Sequence, residues 1–295
     1  NMPKINEWGD QITNELLRQL VELSGFYNLE RPGEWNTIAD MQYVGAMSHP
    51  GGGKNDLPGR LKRHFVVFNC TLPNDISIDH IFGGILHGYF CDERGFSAEV
   101  IGAARNVVPM VRKVWQQAKL KLLPTPAKFH YQFNLRDLSR IFQGVIRSPS
   151  SVIKTRTDLV QLIVHEMMRA IADRFTVPTD TDWFKEAIRK TFSEYLNPEY
   201  LDTILQEMPW FVDFMRDADE DNMDEEGDGS MPETPHIYEP VTSLKLLHDR
   251  CFMMMEKRNT EIRTHKLNLV LFQDALNHLT RIARIISQPR GNALL

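Results

Sequence analysis

Met47-Ser-His-Pro-Gly-Gly-Gly-Lys-Asn-Asp-Leu-Pro-Gly-Arg-Leu-Lys-Arg-His-Phe65 is the stretch on which the reading of this chain turns. It follows a nearly continuous apolar run at 41–47, the pattern of a buried parallel strand. The strand end is polar (Ser48, His49), a glycine-rich turn follows, and a short basic segment leads into a further apolar strand at 66–69. Gly51-Gly-Gly-Lys54 is not a phosphate-cradling P-loop. That motif needs a glycine where Ser48 stands and a hydroxyl residue where Asn55 stands. A turn that lets two elements approach closely is the better reading of these glycines. Further along, Phe133-Asn-Leu-Arg-Asp-Leu-Ser-Arg140 puts Arg136 in the first turn of an amphipathic helix.

The 295 residues give room for one or two domains with ample core. Hydrophobic residues at 42% and charged residues at 25% describe an ordinary globular chain. No apolar run approaches the roughly 18 residues needed to cross a bilayer, and Asn1-Met-Pro is not followed by the apolar core of a signal peptide, so no membrane partner is expected. Cys70, Cys91 and Cys251 share no metal or redox spacing and read as reduced, buried thiols of a cytosolic compartment. The net charge of −5 is local: residues 217–229 hold eight acids and no base, and without them the balance is +3. This run reads as a solvated loop. No basic stripe with interleaved aromatics points to nucleic acid.

Periodicity divides the chain into four parts. Residues 1–93 read as mixed α/β: a helix over 10–24, strands at 35–40, 41–47 and 66–69, and a short helix from Asp75 with Ile76, Ile78 and Ile81 as core candidates. Residues 94–215 read as all-helical. Ser97 caps a helix interrupted by Pro109, further helices cover 134–147 and 158–175, and another runs over 183–196. Residues 216–238 form an acidic, then proline-containing, linker. Residues 239–295 carry two long helices, 243–264 and 268–287, and the start of a strand; in the second, Leu269, Phe272, Leu276 and Ile286 face inward. His165-Glu-Met-Met-Arg169 has half of a zinc-protease helix, but Arg169 replaces the second histidine, so His165 and Glu166 read as helix-surface residues.

Several stretches, taken in order, resemble the third AAA+ module of a dynein heavy chain, the axonemal type most closely and outer-arm chains among these. Asn1-Met-Pro-Lys-Ile-Asn-Glu-Trp-Gly-Asp-Gln-Ile-Thr-Asn-Glu15 is similar to the segment after the Walker B acids. Arg18-Gln-Leu and Gly25-Phe-Tyr-Asn-Leu-Glu fit the next helix and hairpin, and the stretch opening this section fits the strand end and arginine loop. Pro124-Thr-Pro-Ala-Lys-Phe-His-Tyr-Gln-Phe-Asn-Leu-Arg-Asp-Leu-Ser-Arg140 fits the junction into the small subdomain, and Pro289-Arg-Gly-Asn-Ala-Leu-Leu295 the strand leading to the fourth module's P-loop.

The resemblance implies a partial AAA+ α/β core with a parallel sheet (1–93), a helical small subdomain (94–215), the linker (216–238) and the leading helices of the fourth module (239–295). It implies that Ser48 occupies the sensor I position. It implies that Arg63, with Arg60 second, is an arginine finger reaching the neighbouring module's nucleotide, and that Arg136 is sensor II. The parent would be an ATPase, a minus-end-directed microtubule motor of the cytoskeleton, in the axoneme of cilia and flagella. It would bind ATP or ADP with Mg, and pair with neighbouring AAA+ modules, intermediate and light chains, and microtubules. This segment, without Walker A and Walker B and without metal ligands of its own, would be inactive alone. Its module would be a regulatory nucleotide-binding unit gating the main ATPase site, or else a non-catalytic structural spacer. A free-standing helical-repeat adaptor is disfavoured because the sequence holds no repeat.

Overall fold

Short polar side chains start most of the helices. Asn74, Ser97, Asn134, Thr155, Asn197 and Ser243 each accept a hydrogen bond from a first-turn backbone N–H, satisfying a donor that the helix itself cannot. At Asn134 and Thr155 the box is reciprocal, with Asp137 and Asp158 accepting from the cap residue's own N–H. The computed structural model describes residues 2, 6–8, 11–47, 55–217, 236–262 and 265–293. The chain divides into two units, Asn1–Leu72 and Pro73–Leu295.

In the first unit, helix α1 (Ile12–Leu23) is followed by an antiparallel hairpin, β1 (Gly25–Tyr27) with β2 (Trp35–Thr37). Gly25 is required there: a Cβ would run into the Asn36 carbonyl and the Trp35 ring. Tyr27 and Trp35 meet edge to face with centroids 4.8 Å apart. A single turn, α2 (Gly59–Lys62), packs on α1 through the buried Leu61.

The parallel sheet expected in this part is not formed among the described residues, whose two sheets are each two-stranded and antiparallel. Residues 38–47 and 66–72 carry no strand, and Val44 and Phe68 are 88% and 82% exposed. A strand is stabilised by ladder hydrogen bonds and by cover on its faces, and neither reaches these apolar runs.

The second unit is helical. Helix α3 (Asp75–Tyr89) is longer than the sequence suggests and buries Ile78, Phe82 and Leu86, while Ile76 and Ile81 are exposed. It packs on α4 (Ala98–Lys121), which runs on through Pro109 as one helix. Helix α5 (Leu135–Val145) lies against α6 (Arg156–Ala170), which tightens into a 3-10 turn, Ala172–Arg174. Helices α7 (Pro178–Phe192) and α8 (Pro198–Gln206) complete the layer around one core that contains Val107, Val111, Leu138, Ile163 and Phe184. The chain then forms β3 (Trp210–Val212), which pairs antiparallel with β4 (Glu239–Val241), and ends in α9 (Leu244–Glu261) and α10 (Gln273–Ile286).

Neither β3 nor β4 was legible as a strand. Of the stripe expected here, Leu276 is buried in α10, beside Thr280 and Arg284, whereas Leu269, Phe272 and Ile286 are exposed. Of the cysteines, Cys251 is buried but Cys70 is exposed, because its run 66–72 has no cover. No helix of the described residues is long and apolar enough to cross a membrane.

Ile163→Ala, at a fully buried site, should cost about 2–5 kcal/mol of stability, whereas Ile76→Ala should stay within about 0.5 kcal/mol. Urea unfolding of the two variants separates a core position from an exposed one on the same apolar count.

Candidate functional site

The arginines singled out by sequence occupy different surroundings. Arg63 is the C-cap of α2, its N–H bonded to the Gly59 carbonyl, with Leu61 anchoring the turn. Its guanidinium, 59% exposed, pairs with Glu22 of α1 at 2.7 Å. Arg60 pairs with Glu15, and Arg18 bridges Glu15 and Glu22. His64 lies 3.6 Å from Glu22. Burial pushes the Glu22 carboxyl up, but the Arg18 hydrogen bond and the charges of Arg63, Arg18 and His64 hold it below its ordinary value. An exposed pair of this kind adds little net stability, so Arg63 is oriented without being locked. Ser48 lies outside the described residues.

Arg136 lies in the second unit, at the second position of α5, and is exposed. Its own N–H is taken by the Asn134 side chain at 2.9 Å. The neighbouring Asp137 is not its partner. Asp137 is buried, closes the capping box, and is held by Arg174, which also donates to the Gln132 and Ala170 carbonyls. The guanidinium of Arg136 has no ion-pair partner among the described residues. Because capping occupies the helix's first amides, an anion at this end would be held by the side chain rather than by free N–H groups.

Sequence reasoning missed the polar centre of this unit. Glu166 is fully buried and His165 nearly so, contrary to the surface position expected for both. Arg284 of α10 forks onto the Glu166 carboxylate, with Nε 3.1 Å from Oε2. Tyr238 donates its O–H to Oε1 at 2.7 Å, and His165 Nδ1 lies 3.3 Å from the same oxygen. Arg147, just past α5, covers the Tyr238 ring at 4.4 Å, pairs with Asp213 at 2.7 Å and donates to the Arg284 carbonyl. Ser148 donates to the Tyr238 carbonyl at 2.8 Å. Gly144 makes room for all this: a Cβ there would strike the Glu166 carboxylate. The signal was present in the sequence. Glu166 has Leu162 and Ile163 one turn before it and Ala170 one turn after, so it lies on the apolar stripe, where a charge must be paired.

Burial alone would raise the Glu166 carboxyl; the Arg284 charge and the hydrogen bonds from His165 and Arg284 outweigh it and bring it from 4.5 down to about 2. Burial also pushes the Tyr238 hydroxyl well above, and the His165 imidazole below, their ordinary values. No group of three or more His, Cys, Asp or Glu among the described residues is placed to hold a metal.

The family description "P-loop containing dynein motor region" matches residues 1–73, "AAA+ lid domain" residues 107–203, and "P-loop containing dynein motor region D4" residues 267–295. The whole chain is 52% identical to dynein axonemal heavy chain 5 of Rattus norvegicus, covering 8% of that protein. It is 48% identical to dynein axonemal heavy chain 8 of Homo sapiens over its whole length, covering 6% of that protein. Over 98% of its length it is 38% identical to the dynein gamma chain, flagellar outer arm, of Chlamydomonas reinhardtii, covering 7%. The chain thus spans less than a tenth of these relatives.

The folded value of Glu166 lies below the unfolded one, so its contribution, on the order of 3 kcal/mol, is complete above the ordinary carboxylate value and drains as pH falls from 4.5 toward 2. His165 acts in the same direction, starting nearer 6.5, and Asp173, whose carboxyl burial raises, acts in reverse. Glu166→Gln should cost about 3–5 kcal/mol at neutral pH by leaving Arg284 unpaired. It should also flatten the acid limb when urea midpoints are compared between pH 7 and pH 3.

Proposed function

We propose, since the chain belongs to the axonemal dynein heavy-chain family, that it works as part of a ring of AAA+ modules in a microtubule motor of cilia and flagella, where it reports nucleotide state. The residues fit a phosphate-sensing role. Arg136 offers an exposed guanidinium, without an ion-pair partner among the described residues, on a helix whose start is held by Asp137 and Arg174. Bound ATP with its Mg would supply the γ-phosphate charge; Arg136 would act as sensor II and hold one end of it. Arg63, released from Glu22, would serve as finger toward the neighbouring module's nucleotide, with Arg60 held on Glu15 as its reserve. Ser48 is kept as the sensor I candidate on sequence grounds alone.

One observation carries the regulatory reading over the spacer reading. The helix that bears Arg136 is packed against Glu166 at Gly144, and Glu166 is clamped by Arg284. Arg136 lies in the stretch that matches the lid, and Arg284 in the stretch that matches the fourth motor region. A charge-driven shift of α5 therefore has a stiff path into α10. A ligand shifts such an equilibrium only by its differential contacts with the two states, and Arg136 is the group that would make them. Closeness to outer-arm chains, and work alongside intermediate and light chains, follow the same proposal.

In the intact heavy chain, Arg136→Ala should slow ATP-driven release from microtubules by about tenfold, the scale of one coupling step between sites. Arg63→Ala should lower hydrolysis at the neighbouring module's site by at least about tenfold, the direction expected when a finger is removed. Stopped-flow release and single-turnover hydrolysis read the two separately. Unchanged rates in the Arg136 variant would favour the spacer.

A further inference from the structure

A cleft of about 150 Å³ opens beside the Glu166–Arg284 pair. Helix α6 supplies His165 and Arg169, β3 supplies Trp210, and α10 supplies Asn277, Arg281 and Arg284. Its charges do not balance. Glu166 is consumed by Arg284 and by the Tyr238 hydroxyl. Asp173, from the 3-10 turn after α6, is the carboxylate left for Arg169 and Arg281, and a single oxygen, Oδ1, contacts both at 3.2 and 3.5 Å. The buried Nε groups of Arg169 and Arg281 donate to no acceptor among the described residues. His165 adds no compensating anion. Two guanidinium groups thus share one carboxylate and line an open space.

The neutral lining is oriented for the same kind of guest. Trp210 Nε1 donates to Asn277 Oδ1 at 2.7 Å, which fixes the amide and leaves its NH₂ as a donor. The Thr280 hydroxyl already donates to the Asn277 carbonyl and offers no further hydrogen. We infer that this cleft binds a phosphate-sized tetrahedral oxyanion, clamped by Arg169 and Arg281 with Asn277 as a neutral donor. Planar guanidinium groups are suited to it because each can present two parallel N–H donors to two oxygens. The volume is about half the lower end of the range for drug-sized ligands, roughly 300 Å³, so a whole nucleotide does not fit. A free phosphate ion and a phosphorylated side chain share this chemistry. The inference goes beyond nucleotide sensing and does not depend on it.

Hydrogen-exchange mass spectrometry of the intact heavy chain tests it, with orthophosphate or O-phosphoserine set against sodium chloride at matched ionic strength. Exchange in peptides covering residues 165–173 and 277–284 should slow by roughly threefold or more with phosphate, and the Arg169→Gln/Arg281→Gln double variant should lose the effect. Asp173→Asn removes the competing carboxylate and should lower the half-saturating phosphate concentration by about tenfold. Half-saturation at a lower concentration of phosphoserine than of orthophosphate assigns the site to a phosphorylated side chain; the opposite order assigns it to the free ion. Peptides from α4 report whether the double variant keeps its fold. If they change, the Asp173→Asn shift decides. Equal exchange in phosphate and chloride, or an Asp173→Asn variant that binds no more tightly, overturns the proposal.

Discussion

The second unit is organised around one buried carboxylate. Glu166 has no access to water, so its charge persists only because Arg284, Tyr238 and His165 converge on it. Those partners come from α10, from the residue just before β4 and from α6 itself, the first two far from Glu166 in sequence. A buried ion pair of this kind is weak evidence for net stability, since an apolar substitute often does as well. Its value is positional. Any arrangement in which α10 docks one turn out of place leaves an unpaired charge in an apolar interior, and the cost of that error is larger than the gain from the correct pair.

The constraint extends outward in both directions. Gly144 lets α5 approach close enough to cover the carboxylate, and Arg147 continues from the end of the same helix to Tyr238, Asp213 and the Arg284 backbone. At the other end of α5, Asp137 is held by Arg174. The helix is fixed at both ends by arginine–carboxylate pairs, and its exposed Arg136 is carried on a stiff support.

Helices were legible in the sequence wherever a capping residue and an apolar stripe agreed, as at Ser97 and Asn134. Their ends were less so: α3, expected to be short, continues to Tyr89 because Phe82 and Leu86 have a core to enter, which no local signal reveals. The sheet was misread for a related reason. The run 41–47 has the composition of a buried strand, but pairing and cover are properties of neighbours, and without them the same residues are exposed. Conversely, Trp210–Val212 and Glu239–Val241 are too short to show alternation, and they pair across a stretch that local patterns cannot bridge. At the site, residue types pointed to Arg63 and Arg136 but not to their surroundings. Glu166 was misplaced because a charge on a helix was given the ordinary prior of exposure, although its one-turn neighbours were apolar.

The acidic run read as a solvated loop lies, apart from Asp217, outside the described residues, but the chain on either side of it is held in place. Its leading residue, Asp217, is held by Arg250, whose guanidinium donates to the Phe214 and Arg216 carbonyls as well. On the far side, Glu239 pairs with Arg216, and the Tyr238 carbonyl accepts from Ser148. Asp217 and the Tyr238–Glu239 pair are therefore tied, through Arg216, Arg250 and Ser148, to β3, α9 and the helical core. The register of β3 against β4 is thus held by side chains on the strands' own flanks, Arg216 with Glu239 and Arg250 with Asp217.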